Sequence, residues 1–68
     1  MTLEQAVQWL CDNDCWVQFW SDSHCEAVVY EVGSIPQEEP LGRGIQPKAV
    51  DALLVAVGMA KRGAGDAA

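Results

Sequence analysis

Apolar residues at Leu3, Ala6, Val7, Leu10 and Cys11 recur at the spacing of a single helical stripe. Thr2 followed three residues later by Gln5 forms a capping box, which satisfies two otherwise orphaned backbone N–H groups, and Glu4 in the first turn suits the helix dipole. Asp12-Asn13-Asp14 ends the element, because these side chains compete for backbone hydrogen bonds. Trp9 lies off the stripe, where it either covers the flank of the core or stands partly exposed. The pattern then changes to two runs rich in β-branched and aromatic residues, Cys15–Ser21 and Cys25–Val32, which read as a hairpin. With Asp22-Ser23 as a two-residue loop, Ser21 faces His24, Val17 faces Val28, Cys15 faces Tyr30, Trp16 faces Val29 and Trp20 faces Cys25. The same register sets Asp14 opposite Glu31, on the face of Trp16 and Trp20. One face then carries Cys15, Val17, Phe19, Val28, Tyr30 and Val32, and is expected to be the core face. Trp16, Gln18, Trp20, Ala27 and Val29 form the other face; the reverse choice would bury the tryptophans.

Gly33–Gly44 reads as a loop rich in proline, glycine and glutamate, in which Leu41–Ile45 forms a short third strand or remains irregular. Pro47 fits the first turn of a second helix, where its missing N–H costs nothing. Ala49, Val50, Leu53, Leu54, Val57 and Ala60 give that helix its stripe, Lys61 and Arg62 suit its negative end, and Gly63 suits its C′ position. The expected fold class is α+β: a small two-layer domain, helix–strand–strand–(strand)–helix, with both helices on one face of an antiparallel sheet. Residues 1–63 form that single domain, and 64–68 are a tail with no apolar anchor.

Charge alters the picture. The first 42 residues contain no lysine or arginine but eight carboxylates: Glu4, Asp12, Asp14, Asp22, Glu26, Glu31, Glu38 and Glu39. Arg43, Lys48, Lys61 and Arg62 all follow, against only Asp51 and Asp66, for a net charge of −6. So negative a chain repels nucleic acid and anionic membranes, and its one-sign field favours a basic partner. Half of the residues are hydrophobic, too many for a disordered acidic tail. The longest apolar run, near Ala52–Ala60, falls short of the ~20 residues of a membrane span. No basic segment leading into an apolar stretch opens the sequence, and the three cysteines are an odd number, so the expectation is a cytoplasmic protein with reduced thiols, inside a host cell.

Candidate chemistry is sparse. Cys11, Cys15, His24 and Cys25 have the right identity and number for zinc, but the hairpin separates Cys15 from His24 by roughly 20 Å, whereas ligands must converge. No metal or other cofactor is expected. His24, the single histidine, cannot readily serve the adjacent Cys25 as a base, since neighbours on a strand point to opposite faces. Leu41-Gly42-Arg43-Gly44 lacks both established phosphate-loop patterns and reads as a turn feeding a helix. Glu38-Glu39 would find little pocket around them for acid–base work in a chain of 68 residues. The expectation is a protein without enzymatic activity.

From Trp16 to Val57, an aromatic strand, a hairpin, the approach Glu39-Pro40-Leu41-Gly42-Arg43-Gly44 and an alanine-rich helix resemble the small accessory proteins that phages encode. The small acidic members of that group include the anti-CRISPR inhibitors, several of which present carboxylates to the DNA-binding surface of a Cas protein. The resemblance implies an inhibitor acting by DNA mimicry on a basic host protein such as a Cas subunit; it carries over no individual residue. The expected partner-binding residues are Asp12, Asp14, Asp22, Glu26, Glu31, Glu38 and Glu39, with Trp16 and Trp20 as apolar anchors. The competing expectation is a structural or assembly module that forms a homodimer through an exposed tryptophan face, its charge serving solubility.

Overall fold

The computed structural model describes residues 1–33 and 39–65. Helix α1 spans Leu3–Asp12, strands β1, β2 and β3 span Cys15–Ser21, Cys25–Glu31 and Gly42–Gln46, and helix α2 spans Ala49–Gly65. The fold is α+β: an antiparallel sheet of order β1-β2-β3 with both helices on one face. The capping box forms in full. Gln5 N–H donates to Thr2 Oγ1 at 3.1 Å, and Thr2 N–H donates to Gln5 Oε1 at 2.8 Å. Among the described residues no helix is long and apolar enough to cross a membrane.

The hairpin register differs from the sequence expectation by one residue. The connection is Asp22-Ser23-His24, three residues instead of two, and Cys15 pairs with Glu31, Trp16 with Tyr30, Val17 with Val29 and Trp20 with Glu26. A one-residue slip exchanges the faces of a strand. Ala27 and Val29, not Val28 and Tyr30, therefore join the core beneath the helices, together with Cys15 and Val17 from β1. Val28 is fully buried and Tyr30 nearly so, but both stand on the opposite, helix-free face beside Trp16, Gln18 and Trp20. There the rings of Trp16 and Tyr30 stack at a centroid distance of 4.6 Å and an interplanar angle of 23°.

The helices also present faces rotated from the predicted stripes. On α1, Ala6 and Leu10 are buried and Trp9 packs against the core, while Leu3, Val7 and Cys11 are exposed. On α2 the buried set is Ala52, Leu53, Ala56, Val57 and Ala60; Ala49 and Val50 stand exposed. The alanine row meets β3 at Gly42 and Gly44, where the helix backbone comes so close that no side chain fits between. Leu41-Gly42-Arg43-Gly44 is thus mostly strand, not a turn. Pro47 precedes α2, the carbonyl of Lys48 just before the helix accepts the Ala52 N–H at 3.0 Å, and the helix continues through Gly63 to Gly65. Of the tail expected over 64–68, residues 64 and 65 belong to the last turn of α2, and 66–68 lie outside the described residues.

Candidate functional site

The acids separate into distinct places. At the end of the sheet where α1 stops, Asn13 caps the helix by donating from its backbone N–H and from Nδ2, the latter at 2.9 Å, to the Trp9 carbonyl. Asp14 then takes a left-handed backbone, φ 53°, which Asp tolerates better than most residues because its short side chain bonds locally. Its carbonyl accepts the Val32 N–H at 2.8 Å and so closes the hairpin. This two-residue corner sets Asp14 next to the Cys15–Glu31 pair. Asp14 and Glu31 are not directly opposed, but both act on the Cys15 thiol. Burial pushes that thiol above its ordinary value of 9.0, and the negative fields of Glu31 and then Asp14 raise it further. Asp12, in the last turn of α1, accepts from Gln8 Nε2 at 2.8 Å. No basic residue stands in that turn, so the partial negative charge of the helix C-terminus adds to the carboxylates.

The remaining expected residues lie elsewhere. Asp22 is in the hairpin tip, at the far end of β1. Glu26, on the helix-free face, is neutralised by Arg43, whose Nε lies 2.6 Å from its Oε2; this is the one ion pair among the described residues. Glu39 is exposed, and Glu38 lies outside the described residues. Trp16 is half-buried in its stack with Tyr30, whereas Trp20 is 44% exposed near the hairpin tip. The expected grouping of Asp14 and Glu31 beside both tryptophans on one face does not form. Glu31 has the core-facing parity of Val29 and lines a shallow recess with Trp9, Asn13, Cys15 and Leu41. Six residues of strand, roughly 20 Å, separate Asp14 from Trp20. The fold also returns part of the positive charge to this end. Lys61 lines a recess with Asp12, Trp9 and Gln5, beyond ion-pair distance of any described carboxylate.

All three cysteines are free thiols, and among the described residues no group of three His, Cys, Asp or Glu side chains is placed to hold a metal ion. The setting of Cys15 has two consequences. Cys11, which is exposed, is expected to alkylate well before Cys15 at neutral pH, as mass spectrometry of partly labelled protein will show. The folded state also holds the Cys15 proton more tightly than the unfolded chain does. Its contribution to stability is complete below pH 9.0 and is lost as pH rises through the higher folded value. Urea midpoints measured from neutral to alkaline pH should fall in that window, and Cys15→Ser should reduce the fall. Sequence reasoning did not anticipate that Cys15 would sit between the two acids, because that follows from the corner at Asp14 and the one-residue shift in register. Comparison with protein-family models, with curated proteins and with solved structures finds no match for this chain.

Proposed function

We propose that this protein is a binding protein that inhibits by occupying the basic, nucleic-acid-binding surface of a host defence protein, in the manner of an acidic anti-CRISPR inhibitor. One observation supports the reading above the net charge. Asp12, Asp14 and Glu31 gather at the C-terminal end of α1 with no cation in ion-pair contact among the described residues, while Glu26 has its own arginine. Unpaired carboxylates at a helix C-terminus set up a local negative field, which steers a basic surface and offers acceptors to its arginines. The mechanism is occlusion: carboxylates take the positions of phosphates, and the body of the domain blocks the groove. Trp20 would touch such a partner only if the interface extended along the whole hairpin, so the acidic end is the primary contact.

The test neutralises charge without disturbing the backbone. Asn keeps the left-handed conformation at position 14, so Asp12→Asn, Asp14→Asn and Glu31→Gln are combined. Proteins captured from a bacterial lysate at low salt are identified, and their affinity for the parent chain is measured in competition with duplex DNA. The expected result is mutual exclusion with DNA and a loss of about 10-fold or more in affinity for the triple variant, mainly through slower association. Binding unaffected by the triple change, or simultaneous binding of DNA, would reject the reading.

A further inference from the structure

The two edges of the sheet are unequal. β3 has five residues, carries Arg43, contains two glycines and is flanked by Pro40 and Pro47, all features that discourage a further strand from pairing. β1 has seven residues and no charge, proline or glycine; three of them, Trp16, Phe19 and Trp20, are aromatic. The bonds at the hairpin ends, Val32 N–H to the Asp14 carbonyl at 2.8 Å and Asp22 N–H to the His24 carbonyl at 3.0 Å, fix the alternation of the ladder. Even-numbered residues of β1 bond to β2. The N–H and C=O groups of Cys15, Val17, Phe19 and Ser21 therefore point outward, and no described residue bonds to them.

We propose that this edge pairs with itself: two copies of the chain join antiparallel along Cys15–Ser21, about a two-fold axis at Gln18, into one continuous sheet. The strand is complementary to its own reverse. Val17 meets Phe19 of the partner subunit and Cys15 meets Ser21 of the partner subunit, both at hydrogen-bonded positions. Trp16 meets Trp20 of the partner subunit at the closer, non-hydrogen-bonded position. Gln18 supplies an independent observation. Its Oε1 is buried and has no hydrogen-bond partner among the described residues, on a strand whose other side chains are otherwise apolar or small. At the axis it faces Gln18 of the partner subunit, whose amide provides the missing donor after side-chain rotation. The pairing ends at the uncharged segment, because one residue further Asp14 would oppose Asp22 of the partner subunit. Salt therefore strengthens this association, the opposite of its effect on docking to a basic surface, and the two proposals stand or fall separately.

The experiment uses the unmodified chain, with sedimentation velocity and amide hydrogen exchange by NMR across a concentration series at low and high salt. The expected result is a monomer–dimer equilibrium shifted toward dimer by salt. Dimer formation should give at least ~10-fold added protection to the amides of Cys15, Val17, Phe19 and Ser21, while those of Trp16, Gln18 and Trp20, already bonded to β2, change little. Phe19→Pro removes an outward N–H that no internal bond uses and should be monomeric. Ile45→Pro makes the same change on the outer side of β3 and should still dimerise. A chain that stays monomeric at every concentration, or a dimer whose four outward amides exchange as in the monomer, overturns the proposal; the latter would indicate stacking through the Trp20 face. Persistence of the dimer in folded Phe19→Pro also overturns it. Should that variant fail to fold, the exchange data on the unmodified chain decide alone.

Discussion

Gly44→Ala is expected to remove a large share of the protein's stability. A methyl group at position 44 would run into the Ala52 carbonyl oxygen and lie 3.0 Å from both the Ala52 carbonyl carbon and the Ala56 nitrogen. These are backbone atoms within a helix, so no rotamer change relieves the clash. Relief requires α2 to lift from β3, which opens the contact holding Ala52, Ala56 and Val57 over Ala27 and Val29. Overpacking against a rigid neighbour costs ~1–3 kcal/mol or more. A 68-residue chain has only roughly 3–10 kcal/mol in total, at ~0.05–0.15 per residue. Gly42→Ala meets the Ala56 carbonyl oxygen and, at 2.8 Å, the Ala60 nitrogen, and should behave alike. The informative control is Gly58→Ala. Beyond the adjoining backbone of the helix itself, no atom lies within 4 Å of a methyl group there, and the position is inside α2. That change should raise stability by ~0.5–1 kcal/mol, a gain of about 4 °C in Tm. Circular-dichroism melts of the three variants test the contact directly: a Gly44→Ala protein melting within a few degrees of the parent would mean that the helix does not approach the strand so closely.

That contact also shows where the sequence was legible. Thr2 and Gln5 identified the start of α1 because a capping box is a local device, complete within four residues. The order of elements was legible for the same reason, since period and turn residues are local properties. The face of α2 was legible only in part. Leu53, Val57 and Ala60 of the expected stripe are buried, but the stripe took Ala49 and Val50 where the sheet selects Ala52 and Ala56, because small residues permit close approach. The signal was present as two alternate glycines in β3 matched by alanines at helical spacing, but it can be read only once strand and helix are paired.

The hairpin register failed for a different reason. Ala27-Val28-Val29-Tyr30 is continuously apolar, so an alternating pattern selects neither face. Glu26 and Glu31, which bracket this run, have opposite parity and place one charge on each face. The choice then rests on loop length, and Ser21-Asp22-Ser23-His24 is compatible with two residues or three. The candidate site inherited the error. Asp14 and Glu31 were expected to oppose one another directly; the shift pairs Glu31 with Cys15 and leaves Asp14 one position along the ladder. Their placement beside Trp16 and Trp20 depended on parity, and the shift sent Glu31 to the core-facing side.

Trp16→Ala is the second variant with a large expected effect, and it tests the register itself. Trp16 stacks on Tyr30, which is only 5% exposed although no helix covers that face. Removing the indole takes away the ring pair and exposes Tyr30, at an expected cost of about 2–4 kcal/mol. Trp20, already 44% exposed and paired with Glu26, should lose less than ~1 kcal/mol in Trp20→Ala. The contrast separates two tryptophans that a reading by composition treats alike. A double-mutant cycle of Trp16→Ala with Tyr30→Leu then measures the coupling, expected at ~0.5–1.5 kcal/mol for a stacked pair. In the register with Trp16 opposite Val29, Tyr30 would lie on the other side of the sheet and the coupling would vanish. Urea denaturation of the two single variants and the double variant therefore distinguishes the registers without a new structure. The same result decides which face of the sheet Glu31 takes, because the parity that stacks Tyr30 on Trp16 is the parity that sends Glu31 to the opposite face.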